Sequence, residues 1–560
     1  MLAALLCVAL FLSVLVGWGA LVERALFEAG TGPDSAALRW EWPALGLAGV
    51  CALTALGLFC NLFMPLDARV TLPVVVVGAF SLLWHRERWL APLRLRGPKA
   101  LAVPALLLAA CTALGLLHGS EYDTGLYHLP VVLWAHQSAV PLGLANLYPA
   151  YGNNSAWLVF ASMLWVPGLE LRGPFCVNMV AYVLALGALL TETRTRSRPT
   201  STLALLALAA LAFSTDRFAV YQGGSPATDA AGLLLIPLAL ALAPGVALAR
   251  GAAQFERRAS LLCLCSALAV VTKLATLPLL LLLPLAWLAR RRRTTASPLP
   301  LRAAFAGAAL VGLWMARSVA TSGCLLFPVV QTCTARLPWS APEALTREHA
   351  QVLLQWTRGH SSAAGTFGWV RDWLELVSAD RIVVSMTALA LLSSAALLVE
   401  LLRSGGRPLL VALAPYAGPL LVSLAGLALW LVGAPDPRLS YGFIVGAPLC
   451  LLAMALAGLR LRRVRRAAAR WVRFASLASL GVQGLVAALM LAASPGLSWP
   501  EIPDAIVGPA RAADGTPITL ALEPAGPGAQ CWSAPQPCTP ALRPGLRVTR
   551  LLGRPAFLLR

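Results

Sequence analysis

Glu121 and Asp123 stand two residues apart in Glu121-Tyr122-Asp123, inside a polar stretch from 118 to 157 in an otherwise apolar chain. A carboxylate held just outside a membrane can act as a general base. Three of the six histidines, His118, His128 and His136, share the same stretch, so a metal-binding cluster is the other chemistry on offer. An exterior loop also carries acids and histidines simply for solvation.

Lys273 is the second residue of interest. The chain has only two lysines; Lys99 falls in a basic loop, whereas Lys273 falls inside the apolar stretch 260–289. An intramembrane cation costs several kcal/mol unless it is paired. A lipid phosphate is a natural partner, and an ammonium reaching the outer surface at a hairpin turn is the plainer one. Arg217, Arg317 and Arg438 fall near the exterior ends of spans, where bidentate pairing with phosphate or carboxylate would account for them. Local ion pairs, Arg438 with Asp436 or Arg217 with Asp216, would do so equally. Asn146, Asn153 and Asn154, with Tyr148 and Tyr151, suit a hydroxyl-rich ligand such as a sugar; a turn around Gly152-Asn153-Asn154 explains them as well. There is no phosphate-binding glycine loop, no nucleophile elbow and no zinc-protease motif, so an ATP-driven pump has no support.

These residues must be positioned by apolar elements. The chain has 560 residues, 59% hydrophobic and 12% charged, with a net charge of +20. Its mean hydropathy is +0.75. A soluble protein of this length could not hide so much apolar surface. Runs of roughly 18–25 apolar residues read as membrane helices, and about fourteen are predicted. They are 1–22, 43–64, 70–84, 100–117, 174–191, 201–214, 228–249, 260–272, 273–289, 302–318, 381–402, 408–433, 437–459 and 474–494. The first has neither a basic n-region nor a small-residue cleavage site and reads as a retained span.

Arginine clusters such as 290–293 and 460–466 mark cytoplasmic loops rather than a nucleic-acid surface. Basic loops at 85–99, 194–198, 250–258, 290–302, 403–407 and 460–473 are expected inside. Loops 118–173, 215–227, 319–380 and 434–436, and the tail from 495, are expected outside. The alternation closes if the N-terminus is outside, if 156–167 lies on the membrane, and if 260–289 crosses twice with its turn near Lys273. Residues 126–139 read as an interfacial helix with Tyr127 and Trp134 at headgroup level. Cys324 with Cys333, and Cys531 with Cys538, share exterior segments where disulfides are allowed.

A span followed by an acidic exterior loop, interfacial helices and many further spans resembles the GT-C superfamily of membrane glycosyltransferases. Glu121-Tyr122-Asp123 matches the E-x-D form of that superfamily's catalytic acid. More narrowly, YDTGLYHLPVVLW (122–134), Thr272-Lys273, ARSVATSGCLLFP (316–328) and APDPRLSYG (434–442) look like segments of a bacterial family of uncharacterised GT-C-like integral membrane proteins. CWSAPQPCTP (531–540) is a further match. One departure is that four spans precede the acidic loop, where GT-C enzymes usually have one.

The resemblance implies an all-α polytopic GT-C-like helical bundle with exterior loops and a short exterior tail. Residues 1–99 would be N-terminal membrane helices, 100–494 the GT-C-like region and 495–560 the tail. It implies an enzyme of the bacterial cytoplasmic (inner) membrane, active on the extracytoplasmic face. The enzyme would move a sugar from a polyprenyl-phosphate donor to a glycan, lipid or protein acceptor, with no nucleic-acid partner. Asp123 would be the base, assisted by Glu121. Lys273, Arg317, Arg438, His128 and Asn154 would bind substrate. The resemblance names no certain cofactor; some members use a divalent metal, which the histidines near Asp123 would allow. A lipid-glycan flippase, a polysaccharide polymerase or ligase, and a non-catalytic assembly protein are the alternatives.

Overall fold

A computed structural model describes residues 1–27, 40–86, 99–117, 120–195, 197–215, 221–292, 299–359, 367–404, 407–458, 502–522 and 529–559, with isolated positions between 459 and 501. The expected span 474–494 lies outside the described residues, as do His118 and Arg217.

Each of the other thirteen expected spans corresponds to helix. Among the described residues nine helices are long and apolar enough to cross a membrane: Leu2–Leu26, Trp42–Asn61, Arg172–Thr193, Thr228–Ala247, Leu274–Arg291, Leu301–Ser322, Arg381–Arg403, Leu413–Gly433 and Tyr441–Gly458. Ala68–Trp84, Leu101–Gly115 and Arg198–Phe213 are shorter apolar helices. The faces of Arg381–Ser404 that carry Leu391, Leu392, Leu398 and Leu402 are open, as expected where lipid tails take the place of protein contacts.

The first two helices approach closely because Gly49 has no side chain. A Cβ there would lie 2.0 Å from the Leu15 carbonyl oxygen, the small-residue contact that brings apolar helices together without a hydrophobic driving force. Helix Trp42–Asn61 in turn packs on Val177–Thr193, Ala252–Thr272 and Leu301–Ser322. Its last residue anchors the acidic loop: Asn61 Nδ2 donates to the carbonyls of Ala135 (3.2 Å) and Ser138 (3.1 Å).

Helix Thr228–Ala247 is the centre of the bundle. Every residue of it is buried. It packs against Ala252–Thr272, Arg198–Phe213, Val177–Thr193 and Tyr441–Gly458. Helix Ala252–Thr272 ends at Lys273, whose backbone is extended (φ −152°, ψ 118°), and a 3-10 segment Leu274–Leu281 follows. The break expected in 260–289 therefore falls at Lys273.

One expectation is corrected here. Residues 126–139 do not form a surface helix. A π-turn Thr124–His128 runs into helix Leu129–Gln137, and the first seven residues of that helix are buried by protein. Trp134 packs edge-on against Phe557 of the tail, 5.8 Å between ring centroids. Residues 156–167, expected not to cross, hold helix Ala156–Met163, eight buried residues packed on Trp42–Asn61 and Leu129–Gln137.

The tail departs from an all-α fold. Strands β1 (Val507–Arg511) and β2 (Pro517–Ala521) pair antiparallel, Val507 opposite Ala521. Strand β3 (Cys538–Thr539) joins β2 in parallel. Strands β4 (Leu546–Leu551) and β5 (Arg554–Leu559) form a hairpin. Both Cys324–Cys333 and Cys531–Cys538 are disulfides.

Three of the segments expected outside assemble with one another. Leu142 exchanges backbone hydrogen bonds with Pro555 and Phe557, each 2.9 Å. Asn146 Nδ2 donates to Trp339 (3.0 Å) and Phe557 (2.9 Å) carbonyls, tying 118–173 to both other segments. Arg543 pairs with Glu348. Loop 118–173, segment 319–380 and the tail are thus one polar unit at one place in the molecule.

Candidate functional site

Three elements far apart in sequence converge on Arg438. The first is the loop after helix Lys99–Gly115, which carries Glu121 and Asp123 directly before the π-turn. A π-turn widens the backbone locally and is common at functional sites. The second is helix Thr228–Ala247, with Asp229 in its first turn, where the helix dipole favours an acid. The third is the short 3-10 turn Pro437–Leu439.

That turn is braced at every side. Asp436 caps it, its Oδ1 accepting from the Arg438 N–H at 2.7 Å. The Trp430 indole donates to the Asp436 carbonyl (2.7 Å) and the Trp373 indole to the Pro435 carbonyl (2.6 Å). Asp436 therefore holds the backbone of Arg438, and the guanidinium reaches elsewhere.

Arg438 Nη1 lies 2.9 Å from Glu121 Oε1, Nη2 lies 3.1 Å from Asp123 Oδ2, and Nε lies 3.2 Å from Asp229 Oδ2. The last is an ion contact without hydrogen-bond alignment, so Nε is buried without a hydrogen bond. The guanidinium also stacks over Trp356, 4.8 Å from the ring centroid. The other oxygen of Asp229 accepts from Lys273 Nζ. Glu121 and Asp123 therefore share one guanidinium, which Asp229 links to Lys273.

Three carboxyls and two cations leave one surplus negative charge if all ionise. Burial, then the charges of Asp123 and Asp229, push the Glu121 carboxyl up to about 8, against the pull of Arg438 and Lys273. Asp123 is raised too, by burial first, with Arg438 opposing. Burial alone would lower Arg438, but the carboxylates of Asp229, Asp123 and Glu121 outweigh it and hold the guanidinium firmly charged. The raised Glu121 pKa favours its protonated form near neutral pH, and with Asp123 and Asp229 ionised that form balances the cluster.

Around this network polar atoms are buried without hydrogen-bond partners: Ser120 Oγ, Glu121 Oε2, Thr124 Oγ1, both His128 ring nitrogens and Ser440 Oγ. Buried polar groups are normally paired, so their concentration here marks a place where water or ligand hydroxyls fit. Burial pushes His128 down to about 3, so its ring is neutral and offers one donor and one acceptor. A cavity of about 260 Å³ opens beside Arg438, lined also by Trp356, Leu376, Asp380, Asp436 and Tyr441.

The structure brings together Glu121, Asp123, Lys273 and Arg438 of the residues singled out from sequence. His128 feels the charges of Asp229, Arg438 and Lys273. Lys273 has a protein carboxylate, Asp229, as its partner in this structure. Arg317 and Asn154 form a separate buried pair: Arg317 Nη1 donates to Asn154 Oδ1 at 2.6 Å, and Asn154 Nδ2 donates to the Trp314 carbonyl at 2.8 Å. With Arg317 only 1% exposed, they hold the loop to helix Leu301–Ser322 rather than face a substrate. The neighbouring Ser155 Oγ donates to the Thr272 carbonyl (2.7 Å), which ties that loop to the residue before Lys273.

The other amides and aromatics of the loop are also engaged. Tyr151 donates to the Cys538 carbonyl (3.1 Å), and Asn153 Oδ1 meets His349 Nε2 at 3.1 Å. His136 contacts the Leu66 carbonyl and stacks on Trp165, 4.0 Å between centroids. Among the described residues no group of three or more His, Cys, Asp and Glu is arranged to hold a metal. The residue missed from sequence is Asp229; its signal was one acid at the start of an otherwise apolar 20-residue run.

No curated protein and no solved structure matches the chain. Residues 1–445, most of the chain and all of the Arg438 cluster, match a family described as a domain of unknown function (DUF8201), and the chain belongs to that family.

Proposed function

We propose that the chain is a membrane glycosyltransferase of GT-C type that transfers a sugar from a polyprenyl-phosphate-linked donor to an acceptor hydroxyl. The observation that carries this reading is the sharing by Glu121 and Asp123 of one guanidinium, Arg438, which itself lines the cavity, with unpartnered buried polar atoms on and around the acid-bearing segment. Asp123 takes the acceptor proton as the acceptor oxygen bonds to the sugar's anomeric carbon. The bond from that carbon to the donor phosphate oxygen breaks, and the phosphate leaves with the electron pair. Glu121, already protonated, stays neutral.

The charge balance suits this chemistry. When Asp123 becomes neutral, Arg438 and Lys273 face Asp229 alone, and the cluster gains one positive charge. That charge is available to the departing phosphate, which gains negative charge in the same step. The resting cluster is balanced, so the site attracts phosphate most strongly in the transition state, as catalysis requires. Asp229 and Lys273 keep Arg438 in place from the membrane side.

The active face is assigned to the exterior of the bacterial inner membrane. Two disulfides in the polar unit suit an oxidising compartment, and the stretch 118–171 within it contains no Lys or Arg. Transport of a lipid-linked glycan is the second reading. It draws on the Asp229–Lys273 pair at the buried start of the central helix, since buried ionic pairs also line transport pathways.

Purified chain in liposomes with a polyprenyl-phosphate sugar and a mixed acceptor pool separates the two. Covalent transfer lost in Asp123→Asn supports the enzyme. Movement of intact donor across the bilayer without transfer supports the transporter and overturns the enzyme.

A further inference from the structure

The tail grips the acid-bearing segment through a few residues. Gln530 Nε2 donates to the Tyr122 carbonyl at 2.9 Å, and the Trp532 backbone N–H donates to the Gly125 carbonyl at 3.0 Å. Tyr122 stands between Glu121 and Asp123, and Gly125 follows two residues later. These contacts straddle Asp123.

The Trp532 side chain completes the grip. Its indole lies flush on Gly125, where a Cβ would fall 2.3 Å from Cε2. It packs with Leu129, Leu133 and Phe175 in a small apolar cluster. Its backbone has φ 42°, the left-handed region that a bulky residue avoids unless its surroundings impose it. The surroundings here are the Cys531–Cys538 disulfide, both of whose cysteines are fully buried. The disulfide loop is itself fixed to the polar unit: Tyr151 donates to the Cys538 carbonyl, and Thr539 Oγ1 to the Leu147 carbonyl (3.0 Å).

We propose that Trp532, held by the Cys531–Cys538 disulfide, is a positioning residue that clamps segment 121–129 so that Glu121 and Asp123 face Arg438. The clamp comes from beyond the family-matched residues 1–445, so the tail completes a site whose charged members all lie within the match. This inference rests on the geometry of the segment and holds whichever reaction the site performs.

Hydrogen exchange on the full-length chain in lipid nanodiscs tests it without any substrate. In Trp532→Ala, exchange of peptides within 121–129 should rise about tenfold, the ratio that about 1.4 kcal/mol of lost local stability produces. Helix Val177–Thr193 should stay at the wild-type rate. Trp532→Phe, which keeps a ring on Gly125, should restore slow exchange. Gly125→Ala should loosen the segment alone, because its methyl group and the indole compete for one space. The Gly125→Ala/Trp532→Ala pair should be no looser than Trp532→Ala. Cys531→Ser/Cys538→Ser should resemble Trp532→Ala. The clamp is overturned if Trp532→Ala leaves 121–129 at the wild-type rate, if both peptides loosen equally, or if the double variant shows the sum of the two singles.

Discussion

Arg438 Nη1 meets Glu121 Oε1 at 2.9 Å across a sequence separation of 317 residues. The loop that holds one side chain precedes most of the bundle, and the turn that holds the other follows it. The contact therefore forms only when segments 317 residues apart in sequence are brought together.

Arg438→Ala removes the partner of Glu121, Asp123 and one oxygen of Asp229 together. Leaving buried charges uncompensated costs about 3–5 kcal/mol, read as a lower thermal midpoint in detergent. Arg438→Lys should recover only a small part, because an ammonium cannot span three carboxyls as a planar fork does. A lysine variant as stable as wild type would show that the fork geometry is unimportant.

Glu121 gives stability a pH dependence of known sign. Its folded pKa, about 8, lies above that of an exposed carboxyl, so the folded state binds the extra proton. Its contribution is complete below the ordinary carboxyl range and is lost as pH rises through about 8. Thermal midpoints of the wild type should therefore fall from acid to mildly alkaline pH, while Glu121→Gln, which mimics the protonated form, should show a shallower fall. Parallel curves for the two proteins would contradict a protonated Glu121.

Asp229 and Lys273 should behave as a coupled pair. Asp229→Asn and Lys273→Met each strand a charge, whereas the double variant strands neither against the other. The double variant should be less destabilised than the sum, by about 0.5–3 kcal/mol. Strict additivity in unfolding midpoints would mean that the ion pair contributes nothing specific.

The polar unit should be reached from one side of the membrane. Ala335 is exposed in segment 319–380, and Leu552 is 78% exposed in the β4–β5 turn. Cysteines placed at both positions in whole cells should react with a membrane-impermeant maleimide, and one at Gly251, in a basic loop, should not. Labelling of Ala335→Cys and Leu552→Cys from opposite sides would break the unit apart.

The apolar spans were legible because length and hydropathy alone specify a helix that must satisfy its own backbone in lipid. The E-x-D pair and Lys273 were legible as charges out of place. The partners of Lys273 and Arg438 were not, because sequence gives no distance between loops three hundred residues apart. Asp229 was hidden by its position at the start of a helix, where an acid reads as an ordinary N-terminal residue. The tail carried turn signals that went unread. Asp514-Gly515 lies between β1 and β2. Leu552 and Gly553, both at positive φ, form the two-residue turn of β4–β5 as a type I′ hairpin requires. The interfacial helix at 126–139 had the right amphipathic spacing, but its apolar face met protein instead of lipid because the tail covers it.

The central claim is that Asp123 removes the acceptor proton at a site organised by Arg438. The most direct measurement is the rate of sugar transfer from a polyprenyl-phosphate donor by Asp123→Asn in liposomes, with insertion and thermal midpoint confirmed. Losing a general base should slow transfer by about 10²–10⁴-fold, and Asp123→Glu should recover part of it. Transfer by a correctly folded Asp123→Asn protein at the wild-type rate would contradict the claim.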